Sequence, residues 1–196
     1  MQYDTVIVNG RWFDGTGAPS ARRNIIVRDG RVATITPEPL DTAGADVIDA
    51  TGQWVIAGII DIHTHYDVEI LCEPELSESL RHGVTTVMLG SCSLSTVYLD
   101  NVDAGDIFGR EEAIPRRYVI EHLDAARSWS NPAEYVAELD RRNLGPNVAA
   151  FMGHSGTGQA EVRPLPARGP EIRELDAGSL ILAAQRFTPR TRPGSG

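Results

Sequence analysis

The stretch that decides the fold is Val55-Ile56-Ala57-Gly58-Ile59-Ile60-Asp61-Ile62-His63-Thr64-His65. Its apolar run Ile59–Ile62 predicts a short buried strand, and two histidines follow that strand directly. Side chains two positions apart on a strand point to the same face, so His63 and His65 can both reach one divalent metal. Aspartates flank the pair on both sides. The stretch therefore predicts a metal site at a strand end, against the alternative of two incidental histidines on an exposed strand end.

The residues before this stretch predict short strands joined by turns. Asn24–Val27 and Val32–Ile35 flank Asp29-Gly30, a dipeptide that supplies the positive φ angles of a two-residue hairpin turn. An earlier apolar run, Thr5–Val8, is closed by an Asn-Gly turn dipeptide. Residues 1–58 are therefore expected to form a small β-domain.

The pattern after Gly58 changes to strands that alternate with helices. A helix is predicted over Glu73–Arg81, a buried strand over Val84–Leu89 and another strand over Asn147–Met152. Alternation of this kind implies a parallel sheet with crossover connections. Between the last two strands, helices are expected over Val97–Ile107, Arg110–Ala126 and Pro132–Arg142.

Cys92 and His154 are further candidates because each follows a predicted strand. In a parallel α/β sheet the binding crevice lies at the C-terminal ends of the strands, so both residues would open onto the face that carries the two histidines. A thiolate is a good zinc ligand. For Cys92 the alternative is a core position. His154 could face the site, donate to substrate or bond a backbone carbonyl.

The composition argues against several other classes of function. The net charge is −9, and all 18 basic residues are arginine. An acidic chain without basic blocks is a poor candidate for binding nucleic acid or an anionic membrane. The N-terminal sequence lacks the pattern of a secretory signal, and no apolar run approaches the roughly 18 residues that span a bilayer. These features predict a cytoplasmic protein.

Three segments resemble a known family. Residues 55–65 resemble the amidohydrolase signature Pro-Gly-Phe-Ile-Asp-X-His-X-His, with Ala57 in place of the proline. Residues 83–93 are similar to Gly-Val-Thr-Thr-Val-X-X-Gly-Asn-Cys-Gly of the N-acyl-D-amino-acid deacylases, with serines replacing the Asn and the final Gly. Residues 147–155 are similar to that family's Asn-Val-Ala-X-Leu-X-Gly-His-Ser. The resemblance implies an α/β fold: an incomplete (β/α)8 barrel, its first strands only, preceded by a small β-sandwich segment.

The resemblance also implies a chemistry. It implies a zinc enzyme, with one or two ions, that hydrolyses the C–N amide bond of an N-acyl amino acid or a similar small molecule. His63, His65 and Cys92 would hold the metal, and His154 would contact substrate. Many amidohydrolases bridge two metals with a carbamylated lysine, whereas the deacylase branch uses a cysteine, which suits a chain without lysine. The family's general-base aspartate is expected beyond this chain.

The expected organisation has three parts. Residues 1–58 form the β-sandwich segment, residues 59–158 the first part of the barrel, and residues 159–196 an irregular, disordered tail in which only Glu171–Gln185 could form a helix. Because a full barrel takes about 250 residues, the chain would be truncated and inactive alone. One alternative is a non-catalytic fragment or pseudoenzyme that self-associates through an open barrel edge or binds a partner. Another is a different amidohydrolase, such as a deaminase or a dihydroorotase-like enzyme.

Overall fold

The computed structural model describes residues 4–153 and the backbone of residues 181–183. The chain divides into two compact units between Ala57 and Gly58. Each unit is built on its own β-sheet, and the second also contains helices, so the mixed α/β class predicted from the sequence is confirmed. Over the described ranges, no helix combines the length and the apolar character that crossing a membrane would require.

The first unit is a five-stranded sheet. The strand β1 lies at its centre, antiparallel to β2 and parallel to both β4 and β5, while β3 pairs with β2. The described strands of this unit make one sheet and therefore one layer of the expected sandwich. The strands are β1 (Thr5–Trp12), β2 (Ala21–Arg28), β3 (Arg31–Thr36), β4 (Asp46–Asp49) and β5 (Trp54–Val55).

The two turn dipeptides of this unit behave differently. Asp29 and Gly30 have φ angles of 51° and 68° and close the β2–β3 hairpin as predicted. The turn predicted after Val8 is wrong, because β1 continues through it to Trp12. Asn9 does adopt a positive φ of 64°, but there it forms an irregularity in the pairing of β1 with β2 rather than a chain reversal.

The second unit contains a four-stranded sheet in the order β6, β7, β8, β9. The first three strands are parallel, as the alternation of strands and helices predicted. The fourth is antiparallel to β8 and lies in the segment predicted to be irregular or helical, so that prediction is wrong for three residues. A strand forms there because the edge of β8 has free backbone groups, which can pair with an apolar segment. The strands are β6 (Ile59–Asp61), β7 (Val84–Leu89), β8 (Asn147–Phe151) and β9 (Ile181–Ala183).

Within the described residues, five α-helices lie between these strands. The helix predicted over Glu73–Arg81 is confirmed only over Ser77–Arg81: a separate short helix ends before the predicted range, at Cys72, and Leu76 has a left-handed φ of 42° that no continuous helix accommodates. The last helix begins as predicted, with the Asn131 side chain accepting the backbone N–H of Glu134. The helices are α1 (Glu69–Cys72), α2 (Ser77–Arg81), α3 (Asn101–Glu111), α4 (Arg116–Ala126) and α5 (Pro132–Arg141).

The core of the second unit lies between its sheet and these helices. Val87 and Leu89 of β7 are fully buried against a cluster that includes Phe108 of α3, Leu123 of α4 and Tyr135 of α5. Large buried side chains of this kind supply most of the stability of a domain. The packing fixes the C-terminal end of β7, from which the chain runs directly into the candidate site.

Candidate metal centre

Three side chains with metal-binding chemistry meet beyond the C-terminal ends of β6 and β7. One donor atom from each of His63, His65 and Cys92 lies within 4.8 Å of the other two. The Sγ atom of Cys92 is 3.2 Å from Nε2 of His63, and the two imidazole centroids are 5.2 Å apart. The structure thus brings together the three residues that the sequence predicted as ligands. His154, the predicted substrate contact, lies outside the described residues.

The histidine segment is held by hydrogen bonds on both sides of Thr64. The carboxylate of Asp61 accepts the backbone N–H of His63 at 3.1 Å. The hydroxyl and the backbone N–H of Thr64 both donate to the carbonyl oxygen of Met88, at 2.6 Å and 3.3 Å. Thr64 is buried by this contact with β7, while the histidines before and after it are directed towards Cys92.

The cysteine segment is a tight turn that directly follows β7. Gly90 has φ 75°, ψ 17°, and Cys92 itself has φ 53°, ψ 27° inside a single 3₁₀ turn, Ser91–Ser93. A residue with a side chain in the left-handed region costs about 1–3 kcal/mol and persists only where its surroundings hold it there. The backbone at Gly90 is also crowded, because a Cβ atom there would lie 2.3 Å from the carbonyl oxygen of Phe151.

A buried carboxylate joins the two segments. Asp67 is 1% exposed, and its Oδ2 accepts the backbone N–H of Gly90 at 2.9 Å. Burial raises the pKa of this carboxyl to about 7, and the backbone N–H groups of Gly90, Asp67 and Thr96 oppose that rise in part. The sequence placed Asp67 beside the histidines but gave no sign that it bonds a turn 23 residues further along the chain.

His65 has nitrogen atoms available for a ligand. Its Nδ1 is buried and has no hydrogen-bond partner among the residues that the structure describes. Its Nε2 lies 3.7 Å from a carboxylate oxygen of Glu112, which is outside hydrogen-bond distance. Buried polar atoms without a partner are rare in folded proteins, so this ring is one to which a metal could bind. Sequence reasoning missed Glu112, because only the packing of α3 carries the end of that helix to the site.

The donor set fits zinc. Two imidazoles and a thiol are ligand types that zinc prefers, and catalytic zinc sites typically use three protein ligands with the fourth position open. A tetrahedral shell with bonds of about 2.0–2.3 Å keeps neighbouring donors roughly 3.3–3.8 Å apart. The separation of 3.2 Å between His63 and Cys92 is close to that spacing, so a small adjustment of exposed side chains would complete it.

Comparisons with known proteins find several similar chains. No family model matches the chain. An uncharacterised protein of Mycobacterium tuberculosis H37Rv is 53% identical over 156 residues, which is 79% of this chain and 26% of that protein. N-acyl-D-glutamate deacylase of Alcaligenes xylosoxydans is 31% identical over 183 residues, 92% of this chain and 34% of the enzyme. The crystal structure of N-acyl-D-glutamate deacylase from Bordetella bronchiseptica, complexed with zinc and a phosphonate inhibitor, superimposes with a TM-score of 0.63 at 32% identity, over 80% of this chain and 30% of that one.

The extent of these matches has two consequences. The chain spans about a third or less of the length of the relatives that it matches. A match over 92% of the chain must also include part of residues 159–196, so the resemblance reaches further than the three sequence motifs indicated.

Substitution of Gly90 tests whether the crowding by Phe151 constrains the turn that carries Cys92. We expect Gly90→Ala to lower the free energy of unfolding by about 2–5 kcal/mol, because alanine adds left-handed strain and a clash with Phe151. Gly83→Ala is the matched control: its φ is 82°, but its nearest contact would be an ordinary 3.9 Å, so only about 1–2 kcal/mol is expected. Urea unfolding of both variants measures the difference, and equal losses would show that the crowding at Gly90 is unimportant.

Proposed function

Since the neighbours of this chain in sequence and structure are N-acyl-D-amino-acid deacylases of the amidohydrolase superfamily, as its motifs predicted, we propose that it is the N-terminal part of a metal-dependent hydrolase of that kind. The substrate would be a small N-acylated molecule whose C–N amide bond is cleaved. The observation that carries the proposal is the cluster of His63, His65 and Cys92 at the strand ends.

The fold proposal follows from the order of the strands. The parallel strands β6, β7 and β8 would be the first three strands of a (β/α)8 barrel, in a segment that runs over residues 59–158. Residues 1–58 would be the β-sandwich segment that precedes it. Active sites of such barrels lie at the C-terminal ends of the strands, which is where the three donors are found.

The metal proposed for this cluster is zinc, as one ion or two, held by His63, His65 and Cys92. When bound, it would supply a water of lowered pKa and polarise the scissile carbonyl. Zinc binds the thiolate form of cysteine and the neutral form of imidazole. Because protons compete with the metal for such ligands, binding is expected to weaken as the pH falls.

The three donors do not make a complete catalytic set. Hydrolysis also needs a group that accepts a proton from the attacking water and returns it to the leaving amine. We assign no residue of this chain to that role. The chain alone is therefore proposed to bind metal but to be inactive, with the general base and further ligands supplied by the sequence that corresponds to the rest of its longer relatives.

Zinc binding by the purified chain tests this proposal. We expect His63→Ala and Cys92→Ala each to weaken zinc binding by at least about tenfold, because each removes one of three donors. Isothermal titration calorimetry measures the affinity. His82→Ala is the control, since His82 is the C-cap residue of α2 and is not part of the cluster.

Two results would contradict the proposal. One is zinc binding that is equal in the wild type and all three variants, because the site would then lie elsewhere. The other is clear turnover of N-acetyl-D-amino acids by the zinc-loaded chain, lost in Cys92→Ala, because this would show that the chain alone is active.

A second candidate is favoured by a different observation. Among the described strands, β6 pairs only with β7, so its other edge offers free backbone groups. Ile59, Ile60 and Ile62 on and after this strand are 46%, 60% and 72% exposed. Exposed apolar side chains beside an open edge favour association with another chain. The chain would then be a non-catalytic fragment or pseudoenzyme that self-associates through β6.

Sedimentation velocity tests this second candidate. The wild type is expected to sediment as species larger than a monomer, and Ile60→Glu to shift the distribution towards the monomer by placing a charge on the edge strand. Val102→Glu is the control, because Val102 is also exposed, at 51%, but lies on α3. A wild type that stays monomeric at all concentrations would exclude self-association.

A further inference from the structure

Asp67 is an unusual residue within this unit. It is a carboxylate buried to 1% exposure, and no cation of the described chain forms an ion pair with it. It is also not one of the donors in the cluster formed by His63, His65 and Cys92. A buried carboxylate normally has partners that offset its loss of hydration, and here they are backbone N–H groups: that of Gly90 at 2.9 Å, and those of Asp67 and Thr96.

The position of this bond in the chain matters. Asp67 comes two residues after His65, on the segment that carries both histidines. Gly90 comes two residues before Cys92, on the segment that carries the thiol. The 2.9 Å hydrogen bond between them therefore joins the segment that carries both histidines to the segment that carries the thiol.

The turn that carries Cys92 needs such a contact to hold its orientation. Gly90 and Cys92 both have left-handed φ and ψ angles, so the backbone enters this uncommon region twice within three residues. Inside the turn, the backbone N–H of Leu94 donates to Ser91 at 2.9 Å, which closes the turn but does not orient it. The bond from Asp67 joins the first residue of the turn to the segment that carries the histidines.

A second contact between the segments does something different. Thr64 bonds the carbonyl of Met88, which belongs to β7, before the turn begins. That bond holds the histidine segment against the sheet. It does not constrain the chain after Leu89, where the turn begins. The Asp67 carboxylate reaches the first residue of the turn itself.

We propose that Asp67 is a positioning residue of the metal centre: by accepting the backbone N–H of Gly90, its carboxylate sets the Cys92 thiol at bonding distance from a metal held by His63 and His65. The inference rests on the proposed function, because it assumes a metal at this cluster. Asp67 does not itself touch the metal. Its loss should therefore affect the thiol ligand more than the two imidazole ligands.

Titration of the full chain with Co²⁺ tests the inference, because a cobalt–thiolate bond gives a charge-transfer band that cobalt–imidazole bonds do not. The wild type should show this band and Cys92→Ala should lack it. Asp67→Ala should bind Co²⁺ about 10–100-fold more weakly and lose most of the band, the range typical of residues that orient metal ligands. Asp67→Asn should keep the band, because its amide oxygen can still accept the Gly90 N–H.

Asp100→Ala is the matched control. The Asp100 carboxylate also accepts backbone N–H groups, from Val102 and Asp103 at 2.9 Å, but it does so at the start of α3. Removal of this N-cap should cost about 0.5–2 kcal/mol of stability and should leave the cobalt–thiolate band in place. A general loss of stability therefore cannot imitate the expected result.

The possible outcomes separate the inference from the function on which it rests. A wild type without the band, or a band that survives in Cys92→Ala, contradicts the metal site itself. A normal wild type with an unchanged band and affinity in folded Asp67→Ala overturns only the role of Asp67. If circular dichroism shows that Asp67→Ala does not fold, Asp67→Leu, which fills a similar volume without an acceptor, takes its place: a folded variant that loses the band supports the role, and a folded variant that keeps it overturns the role.

Discussion

The parallel pairing of β6 with β7 is the constraint on which the candidate site depends. Asp61, the last residue of β6, pairs with Val87, so the two strands end within a few residues of each other at one edge of the sheet. The chain leaves both strands in the same direction, which brings His63 and Cys92 together across 29 residues. An antiparallel pair would send the two segments to opposite edges, and no donor cluster could form.

Hydrogen bonds from buried side chains then turn this proximity into a defined geometry. Thr64 fixes the histidine segment to β7, and Asp67 fixes the turn that follows β7. The third strand contributes as well, since the backbone of Phe151 in β8 leaves room only for a glycine at position 90. Sites of this kind are preorganised: their ligands are set by packing and by neighbouring hydrogen bonds before a metal arrives.

The sequence predicted the elements whose signals are local. The helix at Pro132 was predicted correctly, because an N-cap asparagine and a proline mark its start within a few residues. The three donors were found because each follows a strand of clear pattern. The break at Leu76 and the strand β9 were missed, since an unfavourable φ and a pairing with a distant edge depend on tertiary contacts. The bond from Asp67 to Gly90 was missed for the same reason.

His63, His65 and Cys92 are proposed to bind zinc at the strand ends. X-ray absorption at the zinc edge, on the chain loaded with one equivalent of zinc, tests this claim most directly. We expect one sulfur neighbour at about 2.3 Å together with nitrogen neighbours at about 2.0–2.1 Å. A shell of nitrogen and oxygen alone would show that Cys92 is not a ligand and would contradict the account.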